Sequence, residues 1–116
     1  VIAAALFLCT VSAVTDGDSL RCTDGTRVRL HAIDTPEMPG ACRQGRVCAP
    51  GNPHQARAAL VKLAAGKTLK CQKTGTSWER VTAYCSADGR DLSCAMYRGG
   101  YAVRLEQFDR NRRLCR

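Results

Sequence analysis

The sequence contains no internal repeat and no low-complexity segment, which excludes solenoids, tandem arrays and linker-rich architectures. It also lacks the tight cysteine spacings of structural zinc sites. The closest pair, Cys42 and Cys48, has five residues between, and the two histidines, His31 and His54, have no paired ligand pattern. No apolar run is long enough to cross a bilayer. The first fourteen residues, VIAAALFLCTVSAV, come nearest, but they fall short of the roughly 20 residues a span needs and lack the basic start of a signal peptide. Residues 1–7 are therefore expected to be a leader or membrane-anchor remnant, with a first strand near residues 8 to 15. The missing initiator methionine points to a fragment of a longer precursor.

What is present fits one domain. A chain of 116 residues, 45% of them hydrophobic, can build one modest core spanning residues 1–116 and has no room for a second. Lysine and arginine outnumber aspartate and glutamate by 18 to 10, which favours a negatively charged partner such as nucleic acid or an anionic surface. The acids are not spread evenly: five of the ten (Asp16, Asp18, Asp24, Asp34, Glu37) fall within residues 1–37, and the rest of the chain is strongly basic. An acidic island in a basic protein suits a cation site whose ligand is a polyanion, although chance clustering on a solvated face gives the same pattern.

Eight cysteines, an even number at high density, favour an oxidising compartment, either secreted or periplasmic, and up to four disulfides. About a hundred connectivities are open to eight cysteines. The pairing expected here is Cys9–Cys22, Cys42–Cys48, Cys71–Cys85 and Cys94–Cys115.

Along the chain, Asp16-Gly17 reads as a tight turn before a second strand opened by Asp18 and running through Ser19 to Cys22. Asp24-Gly25 leads into Thr26 to Ile33, where Val28, Leu30 and Ala32 alternate with Arg27, Arg29 and His31 as in a half-buried strand. All four prolines lie between Pro36 and Pro53, in a long loop that also holds Arg43 and Arg46 between Cys42 and Cys48. Asn52 can cap a helix with Pro53 in its first turn, Gln55 completing a capping box, Ala56, Ala59, Leu60 and Leu63 on its apolar side, and Gly66 ending it. Strands are expected at Thr68 to Lys73 and Arg80 to Ser86, joined around Gly75. A short helix follows, capped by Asp91 and ended by Gly99, and then a polar, partly loose basic tail over 107–116. The fold class is α+β, mainly β: a five-stranded OB-fold-like barrel with two to three short helices, stapled by disulfides.

Three pieces carry chemistry: Val14-Thr-Asp-Gly-Asp-Ser-Leu20, then Val28-Arg-Leu-His-Ala-Ile-Asp-Thr-Pro-Glu37, then Trp78-Glu-Arg80. In this order they resemble the staphylococcal nuclease (thermonuclease) family, over about residues 8 to 106. The most specific element is the run Arg29-x-x-x-x-Asp-Thr-Pro-Glu37. The resemblance implies that Asp18 and Asp34, with the backbone carbonyl of Thr35, hold one Ca²⁺, and that Asp16 supports them. It implies that Glu37 is the general base or orients the attacking water, and that Arg29 and Arg80 grip the scissile phosphate. The implied reaction is Ca²⁺-dependent endonuclease hydrolysis of DNA or RNA, single strands preferred, at the 5′ P–O bond to leave 3′-phosphates, by a monomer.

That chemistry is coherent in itself. Phosphodiester hydrolysis needs a shielded dianionic transition state and an oriented water, and guanidinium forks with a hard, oxygen-bound cation supply the shielding. Taken singly, each residue also has an ordinary reading: Asp18 in a turn, Arg29 and Arg80 as solvated cations, Asp34-Thr35-Pro36 starting a turn. His31 is expected to pack or face solvent, and His54 to be a first-turn helix residue.

Trp78, Arg43 and Arg46 are further candidates for contacting substrate, Trp78 by stacking. The sequence departs from the family pattern in three places. Trp78-Glu79-Arg80 stands where the family commonly has Tyr-Gly-Arg, putting a negative side chain beside a phosphate-binding arginine. No clear match exists for a later nucleotide-contacting tyrosine, with Glu106 near that position and Phe108 as a substitute. Most of the family's third helix is missing. Two alternatives stay open: a catalytically weak or inactive binding platform of the same fold, and a disulfide-rich secreted basic protein that binds acidic glycans.

Overall fold

The computed structural model describes residues 5–110 and 113–115. Strand β1 (Leu6–Asp16) buries Cys9, Val11 and Val14; β2 (Ser19–Cys22) buries Leu20 and Cys22; β3 (Arg27–Leu30) buries Val28 and Leu30. These alternating inward positions are what make the segments strands. After β4 (Ile33–Asp34) and helix α1 (Pro53–Ala64) come β5 (Thr68–Ser77) and β6 (Arg80–Ala87). β1 pairs with β2 and β5, β2 with β3, and β5 with β6, all antiparallel, while β3 runs parallel to β6 from Val28↔Val81 to Leu30↔Ala83. That last pairing closes a five-stranded barrel. Closure satisfies both edges of the sheet and fills the interior with Leu20, Val28, Leu30, Leu69 and Ala83.

Asn52 caps α1 by accepting from the N–H groups of His54 and Gln55, at 2.9 and 3.1 Å. The helix buries Ala56, Leu60 and Ala64 against β1, leaving Ala59 and Leu63 only partly covered. The short strand β7 (Arg90–Asp91) extends β6, and Asp91 caps α2 (Leu92–Arg98), which packs on α1 and β6. β8 (Val103–Arg104) pairs with β4, and a 3-10 turn over Glu106–Phe108 follows. The four disulfides are Cys9–Cys22, Cys42–Cys48, Cys71–Cys85 and Cys94–Cys115, leaving no free cysteine among the described residues. Cys71 and Cys85 are directly opposed on β5 and β6.

Five expectations need correction. β1 begins earlier than the strand expected near residues 8 to 15, because Leu6 and Phe7 pair with Gln72 and Cys71 of β5; residues 1–4 lie outside the described residues. The first turn sits one residue later, at Gly17-Asp18, since Asp16 pairs with Ser19. The third strand does not run unbroken to Ile33. It ends at Leu30, Ala32 turns with φ 67°, and Ile33-Asp34 leaves to pair with β8. Gly75 is not the hairpin turn either: it marks a bulge inside β5, and the chain reverses at Trp78-Glu79.

Finally, the described part of the tail is anchored. Cys115 is bonded to Cys94, Leu114 is buried, and the buried Asp109 accepts from Arg104 Nε at 2.7 Å and from the Leu114 N–H at 3.1 Å; Arg112 and Arg116 lie outside the described residues. A polar average hid two anchoring positions.

Burial pushes the Asp109 carboxyl up, but the bonds from Arg104 and Leu114 outweigh it and hold the group below its ordinary 3.8. A carboxylate depressed on folding contributes stability in full above its unfolded value and loses it as the pH falls through the folded value. Asp109→Asn should therefore lower stability at neutral pH by about 1–3 kcal/mol. The gap between variant and parent, read by urea unfolding, should start to close only once the pH drops below 3.8. A gap independent of pH would contradict the ionised role of Asp109.

Candidate functional site

The turn between β1 and β2, the break after β3, and the start of β6 meet in a cleft of about 140 Å³ at one end of the barrel. Its lining includes Asp16, Asp18, Arg29, Asp34, Thr35, Glu37, Arg46 and Arg80. Each arrives by a local rule. The β1–β2 turn at Gly17-Asp18 sets Asp18 at the rim, and the Asp18 carbonyl accepts from the Leu30 N–H at 2.8 Å, tying the turn to the end of β3. Gly17 is required by close approach: a Cβ there would meet the Ala56 Cβ at 2.8 Å and the Thr35 side chain at 3.1 Å. The turn is thus wedged between α1 and the segment after β4.

Arg29 alternates with the core residues Val28 and Leu30, so it lies on the outer face of β3, where it joins the two carboxylates. Its Nη1 is 3.4 Å from Asp18 Oδ2 and its Nη2 is 3.5 Å from Asp34 Oδ1, while Nη1 also donates to the Leu30 carbonyl at 2.8 Å. Asp18 Oδ2 further accepts from the Thr35 N–H at 3.3 Å. The break at Ala32 makes this possible, because an unbroken strand would carry Asp34 past Arg29 rather than back toward it.

Burial raises the pKa of Asp34 and of Asp16, and the Asp18 charge adds to both. Arg80 is pulled below the ordinary guanidinium value by burial and then by Arg29, and a guanidinium so placed still stays charged at working pH.

Ser19 is a site residue that the sequence reading did not single out. Its hydroxyl donates to Asp18 Oδ1 at 2.9 Å and accepts from Arg80 Nη1 at 3.1 Å, so it couples a carboxylate on one hairpin to an arginine on another. A serine directly after Asp18 was the only signal available.

Arg46 also enters the cluster, bonding to Glu37 Oε1 and standing 3.7 Å from Asp34 Oδ2. It therefore lies among carboxylates rather than on an open surface. Trp78 and Arg43 are outside the cleft. Trp78 is 84% exposed, with φ 57° at the β5–β6 turn, and the Arg43 guanidinium lies 5.8 Å from its ring centre. Glu79 reaches Arg27 at 3.7 Å, an exposed and weak pairing that points away from the cleft lining. His31 takes a structural place: it bonds to the Phe108 carbonyl at 2.7 Å and Thr74 Oγ1 at 3.0 Å and meets Tyr84 edge-on.

Among the described residues no three His, Cys, Asp or Glu side chains are grouped to enclose a metal ion. The cleft offers a smaller oxygen set: Asp18 and Asp34, with the Thr35 hydroxyl buried beside them and without a hydrogen-bond partner among the described residues. Such a half-built oxygen set fits a hard cation that completes its shell with water and substrate oxygens. No family model matches the chain and no curated protein matches it, so the family resemblance stands on the three motifs alone.

Ser19→Ala should lower stability by about 1–2 kcal/mol, because it strips a buried hydrogen bond from Asp18 and one from Arg80. Urea unfolding with an unchanged m-value checks this. An unchanged midpoint would mean the Arg80–Ser19–Asp18 relay does not hold in solution.

Proposed function

We propose that the chain is a Ca²⁺-dependent phosphodiesterase of the staphylococcal nuclease type, a monomer acting on DNA or RNA in an oxidising, secreted or periplasmic setting. The observation that carries this reading is convergence: Asp18, Arg29, Asp34, Glu37 and Arg80 come from three separated motifs and line one cleft. The four disulfides are consistent with an oxidising compartment, and the net charge of +8 favours a polyanionic substrate.

In this reading Asp18 and Asp34, with the backbone carbonyl of Thr35, hold the cation, and Asp16 adds negative charge beside them. A bound Ca²⁺ would supply charge stabilisation to a phosphoryl oxygen. Arg29 and Arg80 bind the remaining phosphate oxygens, Arg29 by its fork and Arg80 from the position Ser19 gives it. Both are presented on barrel strands; the Arg29 fork faces Asp18 and Asp34 in the cation-free protein, and a cation taking over those carboxylates would free it for phosphate. Glu37 orients the attacking water and receives its proton. The water oxygen bonds to phosphorus, the P–O5′ bond breaks, and the leaving 5′ oxygen takes a proton from solvent water, so the products are a 3′-phosphate and a 5′-hydroxyl. Trp78, exposed and flanked by Arg43 outside the cleft, would stack on an unpaired base of a bound single strand.

The test is cleavage of single-stranded DNA and RNA by the oxidised protein with Ca²⁺ or with chelator, alongside Glu37→Ser and Arg80→Ala. Ca²⁺-dependent cleavage should fall by roughly 100-fold or more in each variant. Equal, undetectable cleavage under every condition would sink the enzyme reading and leave the binding platform of the same fold.

A further inference from the structure

The cleft contains four carboxylates and three guanidinium groups, and one of the three is held differently from the others. Arg29 and Arg80 belong to barrel strands and each has an uncharged protein partner, the Leu30 carbonyl and the Ser19 hydroxyl. Arg46 rides on the exposed loop over residues 39–47, its side chain is 47% exposed against 15% for Arg29, and both its side-chain partners are carboxylates, Asp34 and Glu37. The loop is closed into a small ring by Cys42–Cys48, so the guanidinium is tethered near the cluster yet free of the barrel.

The oxygens of Asp34 are both taken: Oδ1 faces Arg29 at 3.5 Å and Oδ2 faces Arg46 at 3.7 Å. A divalent cation binding at Asp34 has to win an oxygen from one of them. Displacing Arg29 breaks a contact buried within the barrel wall and uncouples Asp18. Displacing Arg46 releases a half-exposed side chain to water, at the small cost of an exposed ion pair. The charges agree: without Arg46, four carboxylates against Arg29 and Arg80 leave two unbalanced negative charges, which one divalent cation matches.

We infer that Arg46 is a tethered counter-cation that competes with the divalent cation for Asp34 and Glu37 and thereby sets the affinity of the site. This rests on the cation site proposed above. Arg46 is a positioning residue: in the cation-free protein it offsets part of the cluster's negative charge, and when the cation enters it swings out on its disulfide-closed loop. Its removal should make the site bind cation more tightly while adding no ligand.

Calcium titration calorimetry on the full oxidised chain tests this directly, with no activity readout needed. Arg46→Ala should bind Ca²⁺ about three- to tenfold more tightly than the parent, the range expected for one or two weak ion pairs. Arg43→Ala, which removes a charge from the same loop but none from the carboxylates, should stay within about twofold and so control for general charge loss. Cys42→Ser with Cys48→Ser, which lengthens the tether, should move the affinity the same way as Arg46→Ala but less. Arg46→Gln guards against a folding defect in Arg46→Ala and should reproduce its gain. Unchanged or weaker Ca²⁺ binding in both Arg46 variants overturns the inference while leaving the site intact. Absence of Ca²⁺ binding in every chain, parent included, overturns the cation site itself and the inference with it.

Discussion

Arg29 sends one guanidinium nitrogen to Asp18 and the other to Asp34, and the arrangement of the cleft depends on that bridge. It requires β3 to present Arg29 at the barrel end, the β1–β2 turn to hold Asp18 beside it, and the chain to double back so that Asp34 arrives on the other side. Barrel closure fixes the first, because β3 is clamped between β2 and β6. The close approach of Gly17 to Ala56 and Thr35 fixes the second, and the turn at Ala32 the third. A buried cationic fork among carboxylates is costly to assemble and more costly to break on one side, so these constraints support one another.

The barrel was legible in the sequence because its signals are local. Alternation from Arg27 to Leu30 shows in the chain, as does the Asn52 cap, and the even cysteine count at high density announced stapling. The motif trio was legible for a different reason: its residue types and order are unusual enough together to indicate one site, though each alone is ordinary. What was not legible is set by partners distant in sequence. Nothing in His31-Ala32-Ile33 says that Ala32 turns with positive φ, because the reason is the pairing of Ile33-Asp34 with Val103-Arg104. Gly75 looked like a turn and is a bulge, since the register is set by Cys71 facing Cys85 and Ser77 facing Arg80. Ser19 was hidden in the same way, a strand serine until the fold sets it between Asp18 and Arg80; Arg46 stood out as a substrate-contact candidate, but its pairing with Asp34 and Glu37 did not show in the chain.

The disulfides divide between scaffold and periphery. Cys9–Cys22 and Cys71–Cys85 cross-link neighbouring barrel strands, while Cys94–Cys115 ties the end of the described chain to α2 beside the Asp109–Arg104 pair. Native bridges in small domains are typically worth about 2–5 kcal/mol each, a large share of the stability of a domain this size. The Cys42–Cys48 bridge differs, because its ring spans an exposed loop that carries Arg46. Barrel strands thus carry Arg29 and Arg80, the β1–β2 turn carries Asp18, and a disulfide-closed loop carries Arg46.

A Ca²⁺ titration of the oxidised protein, followed amide by amide by NMR, tests the proposed binding of a divalent cation between Asp18 and Asp34. Saturable shifts should concentrate at Asp18, Ser19, Asp34 and Thr35, with little change at Asp88, Asp91 or Asp109. Absence of a saturable shift, or a map centred on those three outlying acids, would contradict it.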